Sequence, residues 1–288
     1  MPRPDLQNID RALAPAGQAL SAHNQEVCDM ENYRDLFSLE GKTALIIGGT
    51  GGLGSAIALA FLQQGANVAV CGGHPEKAAG LADYAAQAGR NFLSIRCDIQ
   101  KQSDIDNMLN EIEEQLDTLD ILVNSAGMNR LLPAEDYTEE AFDQVMGLNV
   151  KGLHLITKAV GKRFMIPRNY GRILNLSSVK SLIGTTENYI AYCASKGAVN
   201  MYTKQLACEW GKYRITCNAI APTFVRTSIN SFQLDDPAFC KKLTDRIPLG
   251  RIGQERDIAA AALYLCSDAA EFVSGQVLAV DGGLTSMQ

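Results

Sequence analysis

Thr43-Ala44-Leu45-Ile46-Ile47-Gly48-Gly49-Thr50-Gly51-Gly52-Leu53-Gly54 is the stretch whose reading decides the fold. Its first five residues make an apolar run of the length of a buried strand. A glycine-rich turn follows at once, and the helical period of 52–64 follows the turn. Glycines at such a junction let the backbone bend sharply. They also leave the unpaired N–H groups of the helix N-terminus open to a pyrophosphate. Gly48, Thr50, Gly52, Leu53 and Gly54 are therefore candidate cofactor-binding residues, although the same turn would also serve as a plain strand–helix connection.

Further runs read as buried strands at Asn67–Cys71, Asn91–Arg96, Ile121–Asn124, Gly171–Leu176, Ile215–Ile220 and Gln276–Val280. Helical periods lie between them, near 75–88, 102–115, 138–164, 189–210 and 257–265. Ser103-x-x-Asp106 is expected to cap one helix, and Thr138 followed by Glu139 and Glu140 to start another. Alternation of this kind predicts an α/β fold, a single doubly wound parallel sheet with helices on both faces. Residues 1–37 lack a sustained period and contain Pro2, Pro4 and Pro15. They are expected to form a partly ordered N-terminal arm, with a short helix around Leu13 to Ala22 broken by Pro15 and a possible role in packing on a neighbouring subunit. Residues 38–288 are expected to be one catalytic domain.

A net charge of −6 and a pI near 5.2 disfavour a nucleic-acid partner, which calls for a basic face. No apolar run reaches the roughly 18 residues of a membrane span, and no signal peptide is expected at the start of the chain. Eight Cys occur without a Cys-x-x-Cys pair, and His23, His74 and His154 are scattered. A reducing cytoplasm and no metal site are expected.

Tyr192-Cys193-Ala194-Ser195-Lys196 places a phenol and an ammonium on one helix face, one turn apart. A phenol with a pKa of about 10 is a poor acid or base near neutrality. A neighbouring cation should lower that value and make Tyr192 a general acid/base. On its own the pair is equally an exposed helix face.

Gly48-x-x-x-Gly52-x-Gly54, Asn124-Ser125-Ala126-Gly127, Ser178 and Tyr192-x-x-x-Lys196, in this order, resemble the short-chain dehydrogenase/reductases. The resemblance runs from Leu39 to about Thr285 and includes Val280-Asp281-Gly282-Gly283. It implies a Rossmann-type sheet and hydride transfer between NAD(P)H and a carbonyl or secondary alcohol. It also implies that Tyr192 is the acid/base, that Lys196 lowers its pKa and binds the nicotinamide ribose, and that Ser178 holds the substrate oxygen. Asn149 would anchor a water that relays protons to the lysine. Asp98 would bond the adenine with Ile99 beside it, and Asn124, Ala126 and Gly127 would line the cofactor. Pro222, Val225 and Thr227 would close over the nicotinamide, and a homotetramer would form through helices 138–164 and 189–210.

Three positions depart from the family pattern. Ile47 replaces a Thr before the first glycine, Thr223 follows Pro222 in place of Gly, and Ser178 and Tyr192 are one residue further apart than is common. The loop around Gly184 to Asn188 must bulge to fit the last.

The second strand ends in Cys71-Gly72-Gly73-His74, with neither the Asp that selects NAD nor the Arg that selects NADP. Without a carboxylate to repel a 2′-phosphate, and with Gly73 and His74 near it, NADP is favoured over NAD. Arg130 could meet a substrate carboxylate, or be an ordinary surface residue. Phe37 to Lys42 and Arg246 to Arg251 are similar to gluconate 5-dehydrogenases and related sugar-acid reductases. Phe224 to Asp245 is the expected lid, and Phe232 and Phe239 there would suit a flat apolar substrate. The alternatives to a sugar acid or polyol are a 3-oxoacyl, steroid or other cyclic ketone, and a protein that binds nucleotide without catalysis. Asn149, Ser178, Tyr192 and Lys196 all being present favours the enzyme.

Overall fold

The computed structural model describes residues 32–227 and 235–287. Residues 37–288 form one compact unit. The arm before Asn32, with its expected helix, lies outside the described residues, as does Phe232.

Seven strands form one parallel sheet, in the order β3-β2-β1-β4-β5-β6-β9. They are β1 (Thr43–Ile47), β2 (Asn67–Cys71), β3 (Phe92–Ile95), β4 (Ile121–Asn124), β5 (Gly171–Leu176), β6 (Ile215–Pro222) and β9 (Val277–Val280). Two further strands, β7 (Val225–Arg226) and β8 (Gly253–Gln254), pair separately and had no signal in the sequence. The helices are α1 (Gly52–Gln63), α2 (Ala79–Gln87), α3 (Gln102–Leu116), α4 (139–168), α5 (Ile190–Trp210), α6 (Pro237–Thr244) and α7 (Glu255–Cys266).

The alternation of side chains along the strands sorts the core into two layers. Ala44 and Ile46 of β1 pack with α1, α2 and α7, whereas Leu45 and Ile47 pack with α3, α4 and α5. Every residue of β1, β4, β5 and β6 is buried, which is why these strands are mostly apolar, with Asn124, Asn175 and Asn218 as buried polar exceptions. Sequence order reverses between β1 and β4, so a crevice opens at the carboxyl ends of these strands.

Helix starts follow local chemistry, with one correction. Thr138 accepts a hydrogen bond from the Ala141 N–H, as a cap should. Ser103 does not cap α3. A turn closed by Lys101 N–H to the Asp98 carbonyl starts the helix at Gln102, so Ser103 already lies inside it. α4 contains two wider π-helical turns, Gly147–Gly152 and Gly161–Met165, and continues through both.

The floor of the sheet is tied by Asp120, 3% exposed, at the entry to β4. Its carboxylate accepts from the Thr43 N–H (2.9 Å) and the Arg168 guanidinium (2.6 Å). Asp120→Ala strands the buried Thr43 N–H and removes the charge partner of Arg168, and should cost about 1–3 kcal/mol in chemical denaturation. Asp120→Asn can still accept from Thr43 and should cost less than half of that; equal losses would mean that the Thr43 bond contributes nothing.

Candidate active site

The crevice at the strand ends is a cavity of about 1410 Å³. Its nucleotide end is built by the β1–α1 turn. Gly48 has φ +78°, and a Cβ there would meet the Ala126 backbone nitrogen at 2.8 Å. A Cβ on Gly54 would stand 2.2 Å from the Gly48 carbonyl, so α1 can approach the turn only through glycine. The hydroxyl missing at Ile47 is made good by the backbone: Gly48 N–H donates to the Cys71 carbonyl and Ser125 N–H to that of Ile47. No side chain caps α1 at Gly51, so its first N–H groups face the cavity unpaired.

Gly48, Thr50, Gly52, Leu53, Gly73, His74, Asp98, Ile99, Ala126, Gly127, Pro222, Val225 and Thr227 all line the cavity. Gly54 does not line it and acts only through the close approach just described. Asn124 is also behind the wall. Its amide donates to Thr157 Oγ1 and Asn175 Oδ1, which holds the sheet centre together. The Asp98 carboxylate accepts from the Gln100 N–H (3.0 Å). His74 pairs with Glu76 at 3.1 Å.

At the opposite end Tyr192, Ser178 and Lys196 share one wall. The Ser178 hydroxyl stands near enough to the Tyr192 phenol to draw its pKa down. Ser178 Oγ also accepts from the Lys180 N–H (3.2 Å), so it caps a turn as well. Lys196, 4% exposed, donates from Nζ to the Leu176 carbonyl at 2.6 Å and lies 5.6 Å from the Tyr192 ring centre. The extra residue between Ser178 and Tyr192 is absorbed in 183–189, where Glu187 N–H bonds Thr185 Oγ1. Asn149 lies behind the wall, in the first π turn of α4. Its amide accepts from the Met128 N–H (2.8 Å) and donates to the Met128 carbonyl (2.9 Å) and Ser195 Oγ (3.0 Å).

Burial raises the Tyr192 pKa in the protein alone, and Ser178 offsets this only in part. Burial likewise pushes Lys196 down to about 8. Near pH 7 the tyrosine is therefore a protonated phenol and the lysine a cation.

Arg130 is exposed and is not part of the cavity lining. Its backbone carbonyl accepts from the Tyr137 hydroxyl. Lining residues that sequence reasoning passed over include Lys77, Cys97, Asn129, Lys180 and Glu255. Lys180 carried a usable signal, being two residues beyond Ser178. Cys97 carried none, since its contact with Cys71 at the end of β2 is made from the segment after β3, 26 residues on. Among the described residues no His, Cys, Asp or Glu cluster could hold a metal, and no helix is long and apolar enough to cross a membrane.

The cavity fits a dinucleotide. An uncapped helix N-terminus awaits an anion, and two buried acceptors in the lining, Asn129 Oδ1 and Thr223 Oγ1, have no partner within the protein.

The profile of the family described as enoyl-(acyl carrier protein) reductase matches residues 48–285. An NAD-dependent glycerol dehydrogenase of Listeria innocua is 38% identical over 86% of this chain and 96% of its own. Gluconate 5-dehydrogenase of Gluconobacter oxydans is 35% identical over 88% and 98%. The crystal structure of a gluconate 5-dehydrogenase from Burkholderia cenocepacia, in complex with NADP and tartrate, superposes with a TM-score of 0.83 at 35% identity, covering 89% of this chain and 100% of that one.

The buried ammonium sets a pH dependence of stability. Between pH 8 and 10.5 the unfolded chain keeps a lysine proton that the folded chain has lost, so this residue makes stability rise with pH across that window. Below pH 8 the full cost of burying the charge applies. Lys196→Met should therefore be more stable than the wild type at pH 7, by about 1–3 kcal/mol. The gap should close by pH 10.5. A constant difference across this range in denaturant titrations would refute the assignment.

Proposed function

The chain belongs to the short-chain dehydrogenase/reductase family and is an NAD(P)-dependent oxidoreductase, and we propose that it interconverts a keto group and a secondary alcohol on a sugar acid or polyol. The observation that carries this reading is the placing of Tyr192, Ser178 and Lys196 on one wall of a cavity whose other end is the glycine-rich β1–α1 turn. Gluconate and glycerol dehydrogenases among the relatives support the substrate class.

A bound nicotinamide cofactor supplies or accepts the hydride. The rest falls to this chain. In the reducing direction Tyr192 Oη gives its proton to the substrate oxygen as negative charge develops there. Ser178 Oγ holds the same oxygen beside the phenol, which restricts the substrate to one orientation. Lys196, cationic and held by the Leu176 carbonyl, stabilises the phenolate that remains. Asn149 fixes the loop at Met128 and the helix at Ser195, which keeps the wall rigid. Reprotonation of Tyr192 passes by way of Lys196.

NADP is the cofactor in this reading. The adenosine end carries His74 and Lys77, and Glu76, the acidic residue between them, is drawn to His74. The enzyme works in the cytoplasm as a homotetramer, joined through α4 and α5, where Phe142 and Met201 are exposed.

Tyr192→Phe keeps the ring and removes only the proton, so kcat should fall by about 100-fold or more while NADPH affinity stays within a few-fold. Turnover above about a tenth of the wild-type rate would defeat the acid/base role. Cofactor preference can be moved at Gly73, where a side chain meets open space, whereas at Gly72 a Cβ would strike Thr50 Oγ1 at 2.3 Å. Gly73→Asp should shift the NAD/NADP ratio of kcat/KM toward NAD by repelling the 2′-phosphate. An unchanged ratio would mean that residue 73 does not face the adenosine ribose.

A further inference from the structure

One cation stands inside the substrate end of the cavity, and the chemistry above does not use it. Lys180 lies two residues beyond Ser178, at the centre of a short turn, Val179–Ser181, and its side chain is only 11% exposed. Its ammonium sits 4.6 Å above the ring of Tyr189, and that ring lies 6.1 Å from the ring of Tyr192. Lys180 and Tyr189 both line the cavity beside Ser178 and Tyr192. Lys180 and the proposed proton donor are thus both neighbours of the Tyr189 ring.

The charges around it do not balance. Glu187 approaches Lys180 at 3.4 Å and Arg246 at 4.0 Å, one carboxylate between two cations. Glu187 and Arg246 are nearly half exposed, at 43% and 48%, and are well solvated. Lys180 is the enclosed member of the three. The first turn of α5 opens at the same place, with no acidic residue in it and no side chain capping it at Tyr189, and its dipole adds positive potential. Lys180 also acts on the Cys193 thiol in that turn, drawing its pKa down against the larger upward effect of burial.

We propose that Lys180 is the receptor for a carboxylate on the substrate, so that the enzyme prefers a sugar acid to the neutral sugar of the same length. This assignment rests on the reading of the site given above and names its substrate class. The cluster carries one net positive charge. That matches a monoanion and would leave a phosphate dianion undercompensated. The Tyr189 ring offers the apolar face on which the carbon chain of a sugar packs, between the carboxylate at Lys180 and the keto oxygen at Ser178 and Tyr192. Arg130, exposed and outside the lining, does not meet that chain.

The test compares two ketones with NADPH, 5-keto-D-gluconate and L-sorbose, which carries a CH2OH group where the acid has its carboxylate. Lys180→Met keeps the aliphatic stem and removes the charge. It should raise KM for the acid roughly 10- to 100-fold more than KM for L-sorbose, the range for a hydrogen bond to a charged group. Lys180→Arg should keep most of the preference, and Arg130→Ala should leave the KM ratio at the wild-type value. Equal changes for the two ketones in Lys180→Met, no preference in the wild type, or a ratio that moves in Arg130→Ala instead would each overturn the assignment while leaving the reductase reading intact. A wild type that reduces neither ketone would overturn that reading, and the assignment with it.

Discussion

The active end of this molecule depends on a buried ammonium. Lys196 is almost sealed from water, and taking a cation out of solvent is expensive unless fixed dipoles replace its hydration. The Leu176 carbonyl, at the end of β5, is one such dipole at 2.6 Å. That bond brings the N-terminal part of α5 onto the carboxyl ends of the strands. Tyr192, one turn earlier, is thereby aimed into the cavity. The same burial that lowers the Lys196 pKa raises that of Tyr192, so the pair is set as cation and phenol.

A ladder of buried polar side chains keeps α5 in register with the sheet. Asn124 on β4 donates to Asn175 on β5, and Asn175 donates to Thr203 on α5. One turn nearer the site, Ser177 donates to Asn200 at 2.6 Å. Sliding α5 by a residue would break all of these in an apolar surrounding, where an unpaired polar group costs about 1–3 kcal/mol. The π turn at Gly147–Gly152 performs the matching service for α4. It widens the helix where Asn149 must turn inward to clamp both backbone groups of Met128. The loop after β4 and the helices α4 and α5 are thus joined through one amide.

The two ends of the cavity were not equally legible from the residues. The glycine turn, the seven sheet strands and the Tyr192-x-x-x-Lys196 pair are local patterns, and the structure places each on the expected element. Strand ends moved by a residue or two, and Ser103 lost its capping role to a turn that begins at Asp98. The two-residue ladder β7–β8 was invisible, because two residues carry no period. Arg130 and Lys180 show the limit more sharply. Both follow a sheet strand at a strand end that faces the cavity, yet one points to solvent and the other is enclosed.

The sequence by itself determined the order of strands and helices, the glycines of the nucleotide turn and the phenol–ammonium spacing. These depend on the chemistry of residues a few positions apart, which the backbone period alone brings together. Only the tertiary structure decided that burial raises the Tyr192 pKa, that Asn149 bonds to Met128, and which cation lies beside the phenol. Those outcomes depend on how much water packing removes and on which distant groups it leaves facing each other. Lys180 and Tyr189 are nine positions apart in the chain but meet as ammonium over ring, because the loop between Ser178 and Tyr192 folds back across the mouth of the sheet.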